Sequence, residues 1–245
     1  MKNNLADLHL TFIGCGVMAE SIIAGLLRKN LVEVKQITAS HPRDARRREL
    51  TEKYGIRTFE KNTEAVESVK AHENSGVFLC VKPQRIKGVL DELKGTVAPS
   101  QIVLSIIAGA RIETISDALG NEKIVRTMPN TPSQIGAGMT VWTCTEAVSE
   151  TERAQIKTLL TALGKELYVE TENMIDMATS LSATGPTYIF MVMEALTDAG
   201  VHLGFSREIA KELVQETMLG SFRDGISQTS CGTSQYGHVA RRNFG

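Results

Sequence analysis

The run Leu10-Thr11-Phe12-Ile13-Gly14-Cys15-Gly16-Val17-Met18-Ala19 is the pattern in this chain most readily turned into chemistry. A short apolar stretch ends in two glycines and passes at once into a helix-forming segment from Met18 to Leu27, which reads as strand, tight turn, helix. Gly14 would make the turn, Gly16 would let the backbone approach a pyrophosphate, and Ala19 would let helix and strand pack closely. The helix N-terminus adds free N–H groups and a partial positive charge for the phosphates. Gly14, Cys15, Gly16, Val17 and Met18 are therefore candidate contacts to a dinucleotide. Alone, the pattern also fits a tight turn inside a core, so the rest of the chain must decide.

A second apolar run, Val34 to Ala39, ends in Ser40-His41-Pro42-Arg43. A site for NAD usually places Asp or Glu there for the ribose 2′-OH, whereas a hydroxyl and a guanidinium suit a 2′-phosphate, which Arg grips in a charge-assisted fork. Ser40 and Arg43 thus favour NADPH, with NADH the weaker alternative. Arg46 to Arg48 read as the solvated start of a helix from Arg43 to Tyr54. Val77 to Val81 is a continuous apolar run of the kind buried on both faces of a parallel sheet, and it ends in Lys82-Pro83-Gln84. Ligands of open parallel sheets gather beyond the carboxyl ends of the strands, which puts Val81, Lys82 and Pro83 beside the cofactor. Ile102 to Ile107 ends likewise in Ala108-Gly109, small residues beneath a nicotinamide. Asn62 completes the candidate cofactor set.

These segments belong to an alternation of strands and helices from residue 8 to 145, which makes a doubly wound α/β domain. It includes strands Ile56 to Phe59 and Ile124 to Met128, a helix Thr63 to Val69, and a surface loop Lys70 to Asn74. Glu150 to Leu163 is an amphipathic helix and Glu166 to Val169 a brief extended piece. Beyond Glu172 only helices are signalled: Met174 to Leu181, Pro186 to Leu203, and a third capped by Ser206. The expected division is a cofactor domain over 1–169, a helical domain over 170–226 and an irregular tail over 227–245. Ile189, Val192, Met193, Leu196 and Ala199 make the 186–203 helix too apolar for the residues that follow to cover. Part of its cover is expected from another subunit.

Composition narrows the partners. With 42% hydrophobic and 22% charged residues, 245 residues can bury a sizeable core, and a net charge of −1 speaks against a general nucleic-acid surface. The N-terminus lacks a charged-then-apolar signal pattern and no apolar run approaches the ~20 residues that span a bilayer, so a cytoplasmic protein without membrane contact is expected. The four cysteines, at 15, 80, 144 and 231, form no Cys-x-x-Cys pair, and no metal site is expected.

Six segments carry a resemblance to the pyrroline-5-carboxylate reductase family. They are Gly14 to Glu20, Cys80-Val81-Lys82-Pro83-Gln84, Met128-Pro129-Asn130-Thr131-Pro132, Gly136-Ala137-Gly138-Met139-Thr140, Ala183-Thr184-Gly185-Pro186-Thr187-Tyr188, and Glu194 to Val201, the last followed by Gly204 and Arg207-Glu208. They stand in the family's order between about residues 8 and 221. The resemblance implies a Rossmann-type doubly wound sheet followed by an all-helical dimerisation domain, and a homodimer or higher homo-oligomer. It implies NADPH-dependent reduction of 1-pyrroline-5-carboxylate to L-proline, the last step of proline biosynthesis. It also points to Glu172, Thr184 and Gly185 for substrate binding. Val17 stands where many members have Asn.

The chemistry requires a nicotinamide face held against the C=N carbon, an anchor for the substrate carboxylate, and a protonated or hydrogen-bonded imine nitrogen. An imine arrives partly protonated, so no catalytic acid is assigned. His9, His41, His72, His202 and His238 read as structural or solvated. Two rivals compete. Another NADP-dependent imine or β-hydroxyacid reductase would share the glycine loop but not the 183–201 pattern. A cofactor-binding or dimerising protein with little turnover is the other, motivated by the end of the chain. Gln228 to Gly245 shows no periodicity, yet written in permitted codons and read one base later it gives Lys-Leu-Pro-Ala-Glu-Leu-Arg-Asn-Met-Val-Thr-Ser-Pro-Gly-Gly-Thr-Ser, which resembles the family's next segment. The expectation is a reading-frame shift between about Gly220 and Gln228, with loss of a loop that helps close the substrate site. Sequencing the coding DNA across this region tests it: codons incompatible with the shifted reading would end the idea.

Overall fold

The structure, a computed structural model, describes residues 4–230, with side chains to residue 225. The chain opens with β1 (His9–Ile13), α1 (Val17–Arg28), β2 (Ile37–Ser40), α2 (Asp44–Tyr54), β3 (Arg57–Phe59) and α3 (Asn62–Lys70). β4 (Ser75–Leu79), α4 (Ile86–Leu93), β5 (Ile102–Ser105), α5 (Ile112–Leu119) and β6 (Ile124–Pro129) continue the alternation. β7 (Gly138–Cys144), α6 (Glu150–Leu160) and β8 (Gly164–Tyr168) end the sheet, and α7 (Glu172–Ala178), α8 (Gly185–His202) and α9 (Arg207–Ser230) are helical.

The strands lie in the order β3-β2-β1-β4-β5-β6-β7-β8, parallel except that β7 runs antiparallel to β6. A crossover between parallel strands needs a dozen or more residues, and too few separate β6 from β7 to supply one. Leu10 and Phe12 face one helical layer with Ile22, Ile23 and Leu26 of α1 and Ile156 and Leu159 of α6. Ile13, Val77 and Leu79 face the other, with Val66 and Val69 of α3, Leu93 of α4 and Ile115 of α5. The α/β sheet followed by helices is the class expected from the sequence. β7, α4 and α5 had not been singled out there.

Several boundaries differ. Val34 to Gln36, expected in the second strand, form a 3₁₀ turn closed by reciprocal Glu33 and Gln36 hydrogen bonds, and β2 starts at Ile37. β4 starts at Ser75 rather than Val77 and stops at Leu79, because the chain then bends to lay Val81 over Gly14. The contacts divide the chain after Pro186, not after 169. Ile175, fully buried with Val141 and Val169, and the carboxylates of Glu172 and Asp176 on Arg126 hold α7 to the sheet.

In the second compact unit, α8 and α9 are joined by residues 203–206. Ser206 Oγ accepts the Ile209 N–H, the cap the sequence predicts. α9 continues to Ser230, so residues 227–230 are helical where an irregular tail was expected. Extending an existing helix fixes one residue per hydrogen bond and needs no new nucleus. Residues 231–245, on which the rest of that expectation falls, lie outside the described residues.

Candidate functional site

β1 is flanked by β2 on one side and β4 on the other, so the strand order reverses there and opens a crevice beyond their carboxyl ends. The glycine loop fills that position. Gly14 has φ +82°, and a Cβ on it would run into Val81 Cγ1, so both conformation and packing favour glycine. Its N–H and that of Cys15 donate to Ser40 O, tying the loop to the end of β2. Gly16 is different: a Cβ there would meet nothing within 4 Å. The open space lies at the start of α1, whose first-turn N–H groups have no partners within the helix.

The predicted cofactor residues divide into those the crevice presents and those it does not. Val17, Lys82, Pro83, Ala108 and Gly109 are exposed and Met18 and Val81 half-buried. Cys15 is fully buried, and that burial pushes its thiol up to about 12, so only its backbone faces the crevice. Ser40 stands at the end of β2. Its side chain is fully buried, and the hydroxyl donates to Asn62 Oδ1 at 2.7 Å instead of projecting toward a ribose. Asn62 is anchored in turn: its backbone N–H and Nδ2 donate to the Glu92 carboxylate at 3.1 and 2.7 Å. The two residues brace β2 against α3 and α4.

Arg43 remains as the group for a second phosphate. Within Arg43 to Arg48, Arg46 pairs with Glu20 and Glu49, Arg47 with Asp44 and Glu60, and Arg48 with Asp44. Among the described residues the Arg43 side chain is exposed and has no carboxylate partner. Its backbone N–H donates to His41 Nδ1 at 3.1 Å.

Arg46, read from sequence as solvated, instead supports the glycine loop. Its Nε donates to Cys15 O at 3.2 Å and its Nη2 to the Glu20 carboxylate. Lys53 Nζ and Tyr54 Oη also donate to Glu20, each at 2.7 Å. Burial would raise the Glu20 carboxyl, but the hydrogen bonds from Lys53, Arg46 and Tyr54 outweigh it and hold the group at about 2. The first turn of α1 therefore carries an acid whose charge is already neutralised, leaving the helix N-terminus free to meet an anion.

On the substrate side, Glu172 is held by the protein. Its Oε1 accepts from Arg126 Nη1 at 2.6 Å and from the Ile112 N–H at 2.8 Å, so it is committed to the protein. Thr184 does not cap α8. It follows a π-helical turn, Thr179–Ala183, and its N–H donates to Thr179 O. Asn130 fixes that turn at the end of β6: its Nδ2 donates to Ser182 O at 3.3 Å, while its Oδ1 accepts the Met139 N–H at 2.9 Å. Among the described residues the Thr184 hydroxyl has no hydrogen-bond partner, and a Cβ on Gly185 would meet nothing within 4 Å. Arg126 and Arg46 were missed by sequence reasoning, although a lone charge inside the apolar run Ile124 to Met128 signals a buried ion pair. No three His, Cys, Asp or Glu side chains among the described residues are grouped to hold a metal.

Two family models match this architecture. Residues 9–109 match one described as NADP oxidoreductase, coenzyme F420-dependent, and residues 172–234 match one described as pyrroline-5-carboxylate reductase dimerisation. The second match runs past residue 221, where the resemblance read from sequence stops. A pyrroline-5-carboxylate reductase of Pseudomonas aeruginosa is 38% identical over 220 residues, covering 89% of this chain and 78% of that protein. The chain belongs to the pyrroline-5-carboxylate reductase family. A solved reductase of Coxiella burnetii superposes with a TM-score of 0.82 at 31% identity, covering 96% of this chain and 88% of that one. The Plasmodium falciparum enzyme, solved with NADP bound, gives 0.77 at 28%, covering 89% and 78%. A nicotinamide cofactor fits the crevice, with its open space over Gly16, its unpaired helix start and its free guanidinium. No helix among the described residues is long and apolar enough to cross a membrane.

Proposed function

We propose that this chain binds NADPH at the switch point between β1 and β4 and reduces 1-pyrroline-5-carboxylate to L-proline, as a homodimer or larger homo-oligomer. Family membership supports the reaction. The observation that carries the cofactor assignment is Arg43, left without a carboxylate while its neighbours are all paired.

Gly16 leaves room for the pyrophosphate and the first turn of α1 supplies N–H donors to it. Arg43 takes the 2′-phosphate and discriminates against NADH. Ala108 and Gly109 offer a flat, exposed floor at the end of β5. The cofactor supplies the hydride when bound. Thr184 and Gly185, held at the end of β6 through Asn130 and the π-turn, offer a hydroxyl and open backbone to the substrate. The imine nitrogen arrives partly protonated, which is consistent with a site to which no catalytic histidine is assigned.

Binding without turnover is a second reading, motivated by the reading-frame shift expected before Gln228 to Gly245. NADPH absorbance followed after adding pyrroline-5-carboxylate, beside an NADPH titration on the same sample, separates the two. Consumption of NADPH supports reduction. Saturable binding without consumption selects the second reading, and no binding removes both.

A further inference from the structure

Arg126 stands within β6 with its side chain 3% exposed, a placement that a guanidinium tolerates only when its charge is held. Two carboxylates one turn apart on α7 hold it: Glu172 Oε1 and Asp176 Oδ1 accept from Nη1 and Nη2, both at 2.6 Å. The Glu172 oxygen also accepts the Ile112 N–H at 2.8 Å. Ile112 opens α5, directly after the loop Ala108-Gly109-Ala110-Arg111 that leaves β5. α7 in turn leads through the π-turn to Thr184 and Gly185. One guanidinium therefore fastens three parts of the crevice rim.

We propose that Arg126, acting through Glu172, is a positioning residue for the nicotinamide half of the cofactor site. The inference rests on the nicotinamide reading above. The first N–H of a helix has no partner within it, and here the Glu172 carboxylate supplies one. That bond fixes the start of α5, and with it the height of Ala108 and Gly109. Arg126 keeps Glu172 in place, since without the guanidinium the half-buried carboxylate gains by turning to water. No hydrogen bond among the described residues joins Arg126, Glu172 or Asp176 to the glycine loop or to β2. The adenosine half of the site is therefore built independently of this cluster.

That independence provides the test. NADPH and 2′,5′-ADP, which carries the adenosine and its 2′-phosphate but no nicotinamide, are titrated onto the 245-residue chain and onto Arg126→Lys, Arg126→Gln and Glu172→Gln. Arg126→Gln and Glu172→Gln should weaken NADPH by roughly tenfold or more while 2′,5′-ADP stays within about twofold. Arg126→Lys should fall between, because an ammonium keeps the charge but lacks the fork that reaches two carboxylates. Retained 2′,5′-ADP binding shows at the same time that each variant is folded. Equal weakening of both ligands would overturn the proposal in favour of a purely structural ion pair. Unchanged NADPH affinity would overturn it as well. An unmodified chain that binds neither ligand would remove the cofactor reading, and this inference with it.

Discussion

Leu10, Phe12 and Phe78, on adjacent strands of the first unit, are closed off from solvent, whereas Phe190 and Met191 of α8 and Leu203 just beyond it are 62%, 63% and 81% exposed in the single chain. Both stretches are apolar; they differ in what lies on either side. A strand at the centre of the sheet has helices on both faces, while α8 has α9 alone within its unit. Of the described side chains after Pro186, only Thr197 and Ala210 are buried. Two helices cannot enclose a core, so the apolar surface of α8 and α9 has to be covered by something other than these two helices. The first unit is a finished core with a polar crevice, and the described helices of the second leave their apolar faces open.

The contrast breaks first, and hardest, at α8. Phe190→Asp with Leu196→Asp should abolish self-association, because each side chain contributes ~1.5–3 kcal/mol on burial and a two-fold interface uses it twice. Melting of the first unit should not move, since both positions are surface in the single chain. Light scattering reads the outcome. An unmodified chain that is monomeric, or a double variant with undiminished mass, would mean the α8 face serves some other end.

Next in size is Gly16→Val. A side chain there enters space that is empty of protein, so the fold should survive while NADPH affinity falls by at least about 1,000-fold, or ~4 kcal/mol. The neighbouring Gly14→Val is the control. It meets Val81 and a left-handed backbone, and should lose stability along with binding. Isothermal titration with thermal melting distinguishes the pair, and a Gly16→Val protein with ordinary NADPH affinity would show that the loop is not the phosphate cradle.

These two glycines also show how far the sequence could be read. Strand, turn and helix are local, and periodicity with glycine spacing revealed them. What a side chain does after the chain folds back is not local. Arg46 meets Glu20 across 26 residues and Arg126 meets Glu172 across 46, so neither pairing leaves a mark in its own segment. The Ser40 contact was out of reach for the same reason. The side chain's chemistry suits a ribose phosphate, but Asn62, 22 residues on, turns the hydroxyl inward. β7 was missed because its alternation is weak and its pairing with β6 reverses direction. The helical half was legible as helices and also as incompletely covered, since the 186–203 helix carries more apolar surface than the residues after it can enclose.

Glu20 gives the third test, on the stability of the first unit. Its carboxyl is held at about 2, below the ordinary 4.5, so its contribution is complete above pH 4.5 and is lost as pH falls through about 2. The shift corresponds to roughly 3 kcal/mol. Glu20→Gln should lower the melting temperature at pH 7 and flatten its decline between pH 4.5 and 2. Parallel acid limbs for the two proteins would mean that Arg46, Lys53 and Tyr54 do not hold the ionised form.

The smallest expected effect is the most specific to function. With Ser40 bonded to Asn62, Arg43 is expected to carry most of the preference for a 2′-phosphate, and a single charge-assisted hydrogen bond to it is worth ~1–3 kcal/mol. The unmodified chain should therefore bind NADPH more tightly than NADH by roughly fivefold to 150-fold. Arg43→Ala should remove most of that difference by weakening NADPH while leaving NADH nearly unchanged. Ser40→Ala should lower both affinities together, because the Ser40 hydroxyl braces Asn62 and so the end of β2, not the phosphate itself. Titrations with both cofactors on the three proteins read out the comparisons at once. Equal affinities in the unmodified chain would remove the argument from Arg43. A preference that survives Arg43→Ala and disappears with Ser40→Ala would return the 2′-phosphate to the serine, and would require that side chain to leave its buried position when the cofactor binds.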